Sequence, residues 1–255
     1  MSIKFSYLAL AATWAFASTA HAEGEWRFGV GTGMVALNIE GDAGFNTLLG
    51  PVLLELDLDA EDIADVLESA IGIGGFASNG QWTISYMYQN IELGGSGGGT
   101  VLGGLPVAAS TSLEVTAAEV TVAYRFAEKG RHTWGALAGG RYLEHKYDVD
   151  LVLGAAAFNQ KLEKDWTDML LGVTHAYAIS PKLAWTSRAD YGFGGSEGTL
   201  FLYTGLSWHI SDRFTAAFFA QRTAQDFEDN DPGDPDWYLY DSDEFGLGLN
   251  VLVTW

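Results

Sequence analysis

From Glu244 to Trp255 the chain alternates with a period of two. One parity carries Phe245, Leu247, Leu249, Val251, Val253 and Trp255; the other carries Glu244, Gly246, Gly248, Asn250, Leu252 and Thr254. That is the period of a β-strand with one apolar and one small or polar face. The same pattern recurs upstream. Trp26, Phe28, Val30, Thr32 and Met34 oppose Arg27, Gly29, Gly31 and Gly33, and Trp82, Ile84, Tyr86 and Tyr88 oppose Thr83, Ser85, Met87 and Gln89. Val120, Val122, Tyr124 and Phe126 oppose Glu119, Thr121, Ala123 and Arg125; Met169, Leu171, Val173 and Tyr177 oppose Asp168, Gly172, Thr174 and Ala176. Segments of this kind begin near residues 26, 71, 81, 112, 132, 165, 183, 198, 213 and 243.

Residues 1–22 have the form of a secretory signal: Lys4, an apolar stretch from Tyr7 to Ala17, and Ala20-His21-Ala22 as the cleavage site. Beyond it no stretch reaches the roughly 18 to 20 consecutive apolar residues of a membrane helix. Two classes remain, a soluble exported domain and an outer-membrane β-barrel, whose strands show only weak alternation. The connections favour the barrel because they alternate in length. Asn79-Gly80, Glu128 to Arg131, Ser180-Pro181-Lys182 and Ser211-Asp212 are short; 39–70, 95–111, 148–164 and 228–242 are long, with 194–197 an exception. Tight periplasmic turns and long outer loops have that asymmetry. The expectation is one domain over 23–255, an all-β, antiparallel up-and-down barrel of ten strands. Eight strands with a partly inserted N-terminal segment is the alternative. Aromatic residues at strand ends (Trp26, Trp82, Tyr124, Phe126, Trp134, Trp208, Trp255) fall where an interface girdle belongs. An aromatic terminus after a strand also resembles the signal that ends bacterial outer-membrane barrels, which gives Trp255 an expected role toward the barrel assembly machinery.

Charge narrows the function. With 33 acidic and 13 basic residues the net charge is -20, which opposes the counterion displacement on which nucleic-acid binding depends. The 14 Phe, 11 Tyr and 9 Trp supply the apolar surface that a disordered acidic chain lacks. The absence of cysteine removes disulfides and thiolate chemistry.

In the first long connection Asp59 is placed to cap a short helix with Ile63, Val66, Leu67 and Ala70 on one face. It is expected to tuck into the barrel mouth or lumen, or else to lie on the membrane surface. The glycine-rich run from Gly94 to Gly104 reads as a flexible loop, since it lacks the strand-to-helix context of a phosphate cradle.

If the apolar parity faces lipid, Glu119, Arg125, Arg141, Asp168, Arg188 and Asp190 face the lumen. Charges there must be paired, so these six are the expected lumen network, either as a rigidifying core or as a polar gate. Among the histidines, His145 alone points inward near the outer rim, with Asp148, Asp150, Glu163 and Asp165 as candidate neighbours. No nucleophile motif accompanies it. His175 falls on the lipid parity near a periplasmic turn. The stretch 226–244 is acidic throughout, and Asp229, Asp231, Asp234 and Asp236 form a candidate Ca²⁺ or Mg²⁺ loop, although Pro232 and the missing terminal Glu depart from known calcium loops. No resident cofactor is expected.

Phe45 to Leu67, then Asn79-Gly80-Gln81-Trp82 and Tyr86-Met87-Tyr88, resemble a family of uncharacterised Gram-negative outer-membrane β-barrel proteins. The resemblance continues through Gly139-Gly140-Arg141-Tyr142, Asp165-Trp166-Thr167-Asp168, Ser187 to Gly194 and Ile210 to Phe214. It implies a barrel in the outer membrane and no known reaction. The expected function is therefore a non-enzymatic, porin-like barrel, envelope-structural or a low-conductance channel for small solutes, in contact with membrane lipid and lipopolysaccharide. The alternatives are an outer-membrane enzyme acting on lipid A or peptides and an adhesin working through the acidic loops.

Overall fold

The computed structural model describes residues 24–47, 50–101, 105–153 and 156–255; the expected signal at 1–22 lies outside them. Along the chain run β1 (Arg27–Thr47), β2 (Gly50–Leu58), α1 (Ala60–Val66), β3 (Leu67–Ser78), β4 (Trp82–Val101) and β5 (Leu105–Lys129). They are followed by β6 (His132–Leu153), β7 (Ala156–Ser180), β8 (Leu183–Phe193), β9 (Gly198–His209), β10 (Phe214–Asp229) and β11 (Tyr238–Thr254). Each strand pairs antiparallel with its neighbour, and β11 returns to β1. The result is a closed ten-stranded up-and-down barrel with one short helix. Strand β2 stands outside the ring and folds back on the outer half of β1.

The alternation sets the two surfaces. Phe245, Leu247, Leu249, Val251 and Val253 are exposed on the outer face of β11, while Ser242, Asn250, Leu252 and Thr254 are buried. On the outer face this apolar band ends where charges begin, at the Arg222–Asp243 pair on β10 and β11 and at Glu144 and Lys146 on β6, 2.6 Å apart. At the opposite end the aromatic girdle is in place: Trp82 and Tyr124 pack with centroids 4.7 Å apart, and Trp255 stacks on Phe28 at 6.4 Å. The Asn79-Gly80 turn holds Gly80 at φ 84°, where glycine is favoured. The Asn79 Oδ1 accepts from the backbone N–H groups of Gln81 and Trp82.

The long outer connections differ most from expectation. Strands β4 and β5 stay paired to Val101 and Leu105, and β6 and β7 to Leu153 and Ala156. The glycine-rich run is therefore strand as far as Val101 rather than flexible loop. An antiparallel ladder satisfies backbone donors and acceptors whatever its side chains are, and here cross-strand polar pairs reinforce it. Asn159 donates to Asp148 and Asp150 at 2.7 and 2.9 Å, and Lys161 meets Asp148 at 2.6 Å. Strands β5 and β7 each have 25 residues. At a tilt of about 45° such a strand rises roughly 58 Å, about twice the height of an apolar band. The outer wall therefore stands tall at β5 to β7 and low at β8 and β9, which have 11 and 12 residues.

Candidate functional site in the barrel lumen

Four of the six expected lumen charges meet. Glu119 on β5 receives Arg141 Nε and Nη2 at 3.0 and 2.7 Å on Oε2. On Oε1 it receives Arg188 Nη1 at 2.7 Å. Arg188 also donates from Nε to Asp190 Oδ2 at 2.5 Å, and Asp190 Oδ1 lies 3.5 Å from Arg141 Nη2. All four are buried. Two guanidiniums and two carboxylates cancel, which is the condition for charges in a desolvated interior. The Phe201 ring lies under both cations, 5.3 Å from the Arg141 guanidinium carbon and 5.2 Å from that of Arg188, adding a cation–π contact to each. The arrangement binds β5, β6 and β8 across the lumen.

The other two residues depart from the expected network. Asp168 is fully buried, but its carboxylate is consumed by the short β8–β9 connection and the start of β9. It accepts from the N–H groups of Gly195 and Ser196 at 3.1 and 2.8 Å and from the hydroxyls of Ser196 and Thr199 at 2.7 and 3.0 Å. Four donors leave it no need of a guanidinium. Arg125 lies near the periplasmic turn and pairs with Glu128 at 2.7 Å, too far down β5 to join the others.

Phe201 escaped the sequence reading because β9 is apolar on both parities around it: Leu200 and Leu202 face out while Phe201 and Tyr203 face in. It belongs to a buried cluster with Val35, Leu37, Ile63, Ile91, Tyr203 and Phe219. The helix is where Asp59 predicts it. Asp59 Oδ1 accepts from the N–H groups of Glu61 and Asp62, and Asp62 returns the bond to the Asp59 N–H. Its Ile63 enters the lumen, which corresponds to the tucked-in expectation.

A second buried cluster sits higher, formed by Ala43, Ala117, Leu143, Trp166, Phe227, Tyr238 and Tyr240. His145 is embedded in it. The ring lies 5.0 Å from Trp166 and 4.8 Å from Tyr240, edge to face in both cases, and Nδ1 is 2.7 Å from the Tyr238 hydroxyl. Glu144 and Lys146 on either side mark this level as above the apolar band. Burial drives the His145 imidazole down to about 4, so it is neutral. Of the expected acidic neighbours, Asp148 and Asp150 are engaged elsewhere, holding Asn159. On the lipid side near the periplasm, His175 lies 3.0 Å from His132 and packs tilted against Trp134 with centroids 4.2 Å apart, as its parity predicts.

In the acidic stretch, Asp229 pairs with Lys164 at 2.5 Å, and Asp234 Oδ2 accepts from the Asp231 N–H within a turn. Asp236 lies in the same connection. Among the described residues no three His, Asp or Glu side chains are grouped to hold a metal.

No protein-family model matches the sequence, and no curated protein matches it. Solved structures do. The outer membrane protease OmpT from Escherichia coli aligns with a TM-score of 0.57 and 8% identity over 90% of this chain and 96% of that one. The translocator domain of autotransporter NalP from Neisseria meningitidis gives 0.43 and 8% identity, over 91% and 90% of the two chains. Ail, the attachment invasion locus protein of Yersinia pestis, gives 0.37 and 11%, over 92% and 100%. At this identity likeness to OmpT speaks for architecture alone, that of an outer-membrane β-barrel.

Proposed function

We propose that the protein is a non-enzymatic outer-membrane barrel whose lumen is closed to bulk water, serving the envelope structurally or passing small solutes at low conductance. The observation that carries this is the Glu119–Arg141–Arg188–Asp190 lattice, which ties β5, β6 and β8 together across the lumen. Its four charges are mutually neutralised, so an ion passing through would have to break contacts whose partners would then be left desolvated. Two apolar clusters fill further parts of the interior. Against catalysis stands the setting of His145, neutral and hydrogen-bonded to a tyrosine within an aromatic cage. A general base needs hydrogen-bond reach to a substrate proton, and the ring of His145 is enclosed by Tyr147, Trp166, Tyr238 and Tyr240.

The same reading includes export through a signal cleaved after Ala22, handling of Trp255 by the barrel assembly machinery, and divalent cations bridging the acidic outer connections to lipopolysaccharide phosphates. Planar-bilayer recording tests the central claim. Small or absent unitary currents are expected; large, steady, porin-sized openings would overturn it. Mass spectrometry of lipid A and of added peptides after expression is expected to show no new species, and a product lost in a His145→Ala chain would return the enzyme reading.

A further inference from the structure

The barrel closes unevenly. Strand β1 pairs with β11 over its whole inner and outer length, from Gly29 to Phe45. Its other edge pairs with β3 only over Arg27 to Gly31, against Gly74 to Ser78, and then with β2 from Ile39 to Thr47. Between these ladders, residues 32–38 of β1 and 67–73 of β3 face each other without strand pairing. Thr32 Oγ1 donating to the Gly72 carbonyl at 2.7 Å is a side-chain stitch across this gap. Met34, on the outer face of β1, and Ile71 and Ile73, on that of β3, are exposed, which puts the gap within the apolar band. Unpaired backbone at that depth is costly unless protein covers it. The cover is α1. Its first N–H, that of Ala60, donates to Asn38 Oδ1 at 3.1 Å, and its Ile63 passes inward to join Val35, Leu37, Ile91, Phe201, Tyr203 and Phe219.

Glycine is frequent on both sides of the seam. Gly29, Gly31 and Gly33 lie on β1, and Gly72, Gly74 and Gly75 on β3. Glycine weakens a strand and leaves little side-chain packing to hold it. Both edges thus meet an apolar interior on one side and lipid on the other, with a single seven-residue helix between.

We propose that α1 is the displaceable plug of a lateral portal between β1 and β3, through which an uncharged hydrocarbon-chain molecule passes from the outer leaflet into the apolar cluster around Phe201. The lipid-facing position of the gap and the apolar cluster behind it, with Val35, Leu37, Ile91 and Phe219 around Ile63, favour a hydrocarbon, although Gln89 and Asn250 are buried nearby. Glu61, Asp62 and Asp65 are exposed on α1, and its last turn has no basic residue, which disfavours an anionic head at the mouth. Such a route enters through the wall and ends at the Phe201 ring, on which the charge lattice rests, and it is independent of whether the barrel conducts ions.

The chain has no cysteine, so single thiols report cleanly. Val35→Cys places one behind the plug, and Leu170→Cys places a control on β7, away from the seam; both side chains are buried. In lipid vesicles, N-dodecylmaleimide is expected to label the Val35→Cys chain several-fold faster than the Leu170→Cys chain, because local opening is easier where fewer contacts hold the backbone. Ile63→Gly should raise the first rate further and leave the second unchanged. Folding of each chain is checked by heat-modifiable migration, and Leu37→Cys replaces Val35→Cys if the latter does not assemble. Equal rates at the two positions would overturn the proposal. So would labelling of the Val35→Cys chain by a charged, membrane-impermeant maleimide as fast as by the dodecyl reagent, because that places the entry in water.

Discussion

Arg188 on β8 reaches Glu119 on β5 with Nη1 and Oε1 2.7 Å apart, although two strands separate theirs in the sheet and they are 69 positions apart in the chain. The bond therefore spans the lumen rather than the wall. Glu119→Ala leaves Arg141 and Arg188 with Asp190 as their sole carboxylate in this lattice. Breaking a buried ion pair from one side costs about 3 to 5 kcal/mol, and a loss of that order is expected in urea unfolding from lipid vesicles. Glu119→Gln keeps the shape and one acceptor oxygen and should lose less. Current through Glu119→Ala in planar bilayers should exceed that of the parent chain.

A separate anchor holds the low side of the rim. Asp168 gathers three donors from the β8–β9 connection, two of them backbone N–H groups, and a fourth from Thr199 on β9. Asp168→Ala should release that connection at a cost of about 1 to 3 kcal/mol, the penalty for buried donors left unsatisfied. Limited proteolysis of intact vesicles should then cut between Gly194 and Glu197, where the parent chain should resist. Unchanged protection would show that the strands themselves, not Asp168, hold the connection in place.

Much of this was legible in the sequence, and the limits are physical. Period-two alternation gave the ten barrel strands and the outward faces because lipid outside and side chains inside demand opposite polarity at successive residues. The Asp59 cap marked α1. The same alternation placed Glu119, Arg141, Arg188 and Asp190 inside, yet it has no vertical coordinate fine enough to show that Arg125 lies too low and that Asp168 turns to a neighbouring connection. Strand β2 alternates too, with Val52, Leu54, Leu56 and Leu58 opposite Leu53, Glu55 and Asp57, but the outer extensions of β4 to β7 carry no continuous apolar outward face. Above the membrane nothing requires one, so hydrogen-bonded ladder and loop look alike in composition. The aromatic cage around His145 draws Tyr238 and Tyr240 from the acidic stretch, where charge masked them.

Packing inside the wall sets a third expectation. A Cβ placed on Gly248 would come within 2.2 Å of the Phe219 ring and 2.5 Å of the Met34 carbonyl. Phe219 is almost wholly buried and stacks on Tyr203 with centroids 5.4 Å apart, so it has little room to retreat. Gly248→Ala should destabilise by about 1 to 3 kcal/mol, the usual range for overpacking, seen as a lower urea midpoint. Combining it with Phe219→Leu should recover part of the loss, whereas strictly additive losses would point to the β1 backbone as the obstacle.

His145 gives the barrel an acid-sensitive point above the membrane. Burial holds its imidazole at about 4, against an ordinary value of 6.5. A base whose folded value is depressed takes up its proton more readily when unfolded. Stability is therefore fully present above 6.5 and is lost as pH falls from there toward 4. A gap of that size corresponds to about 3 kcal/mol as an upper bound. The ring's contacts with Trp166, Tyr147, Tyr238 and Tyr240 supply no carboxylate to stabilise the imidazolium. Thermal unfolding in detergent should show a midpoint that drops between pH 6.5 and 4. In His145→Gln, which keeps a polar group near the Tyr238 hydroxyl but cannot titrate in this range, that part of the drop should vanish even if the midpoint at pH 7 is lower. An identical pH dependence in both chains would locate the acid sensitivity in carboxylates elsewhere on the barrel.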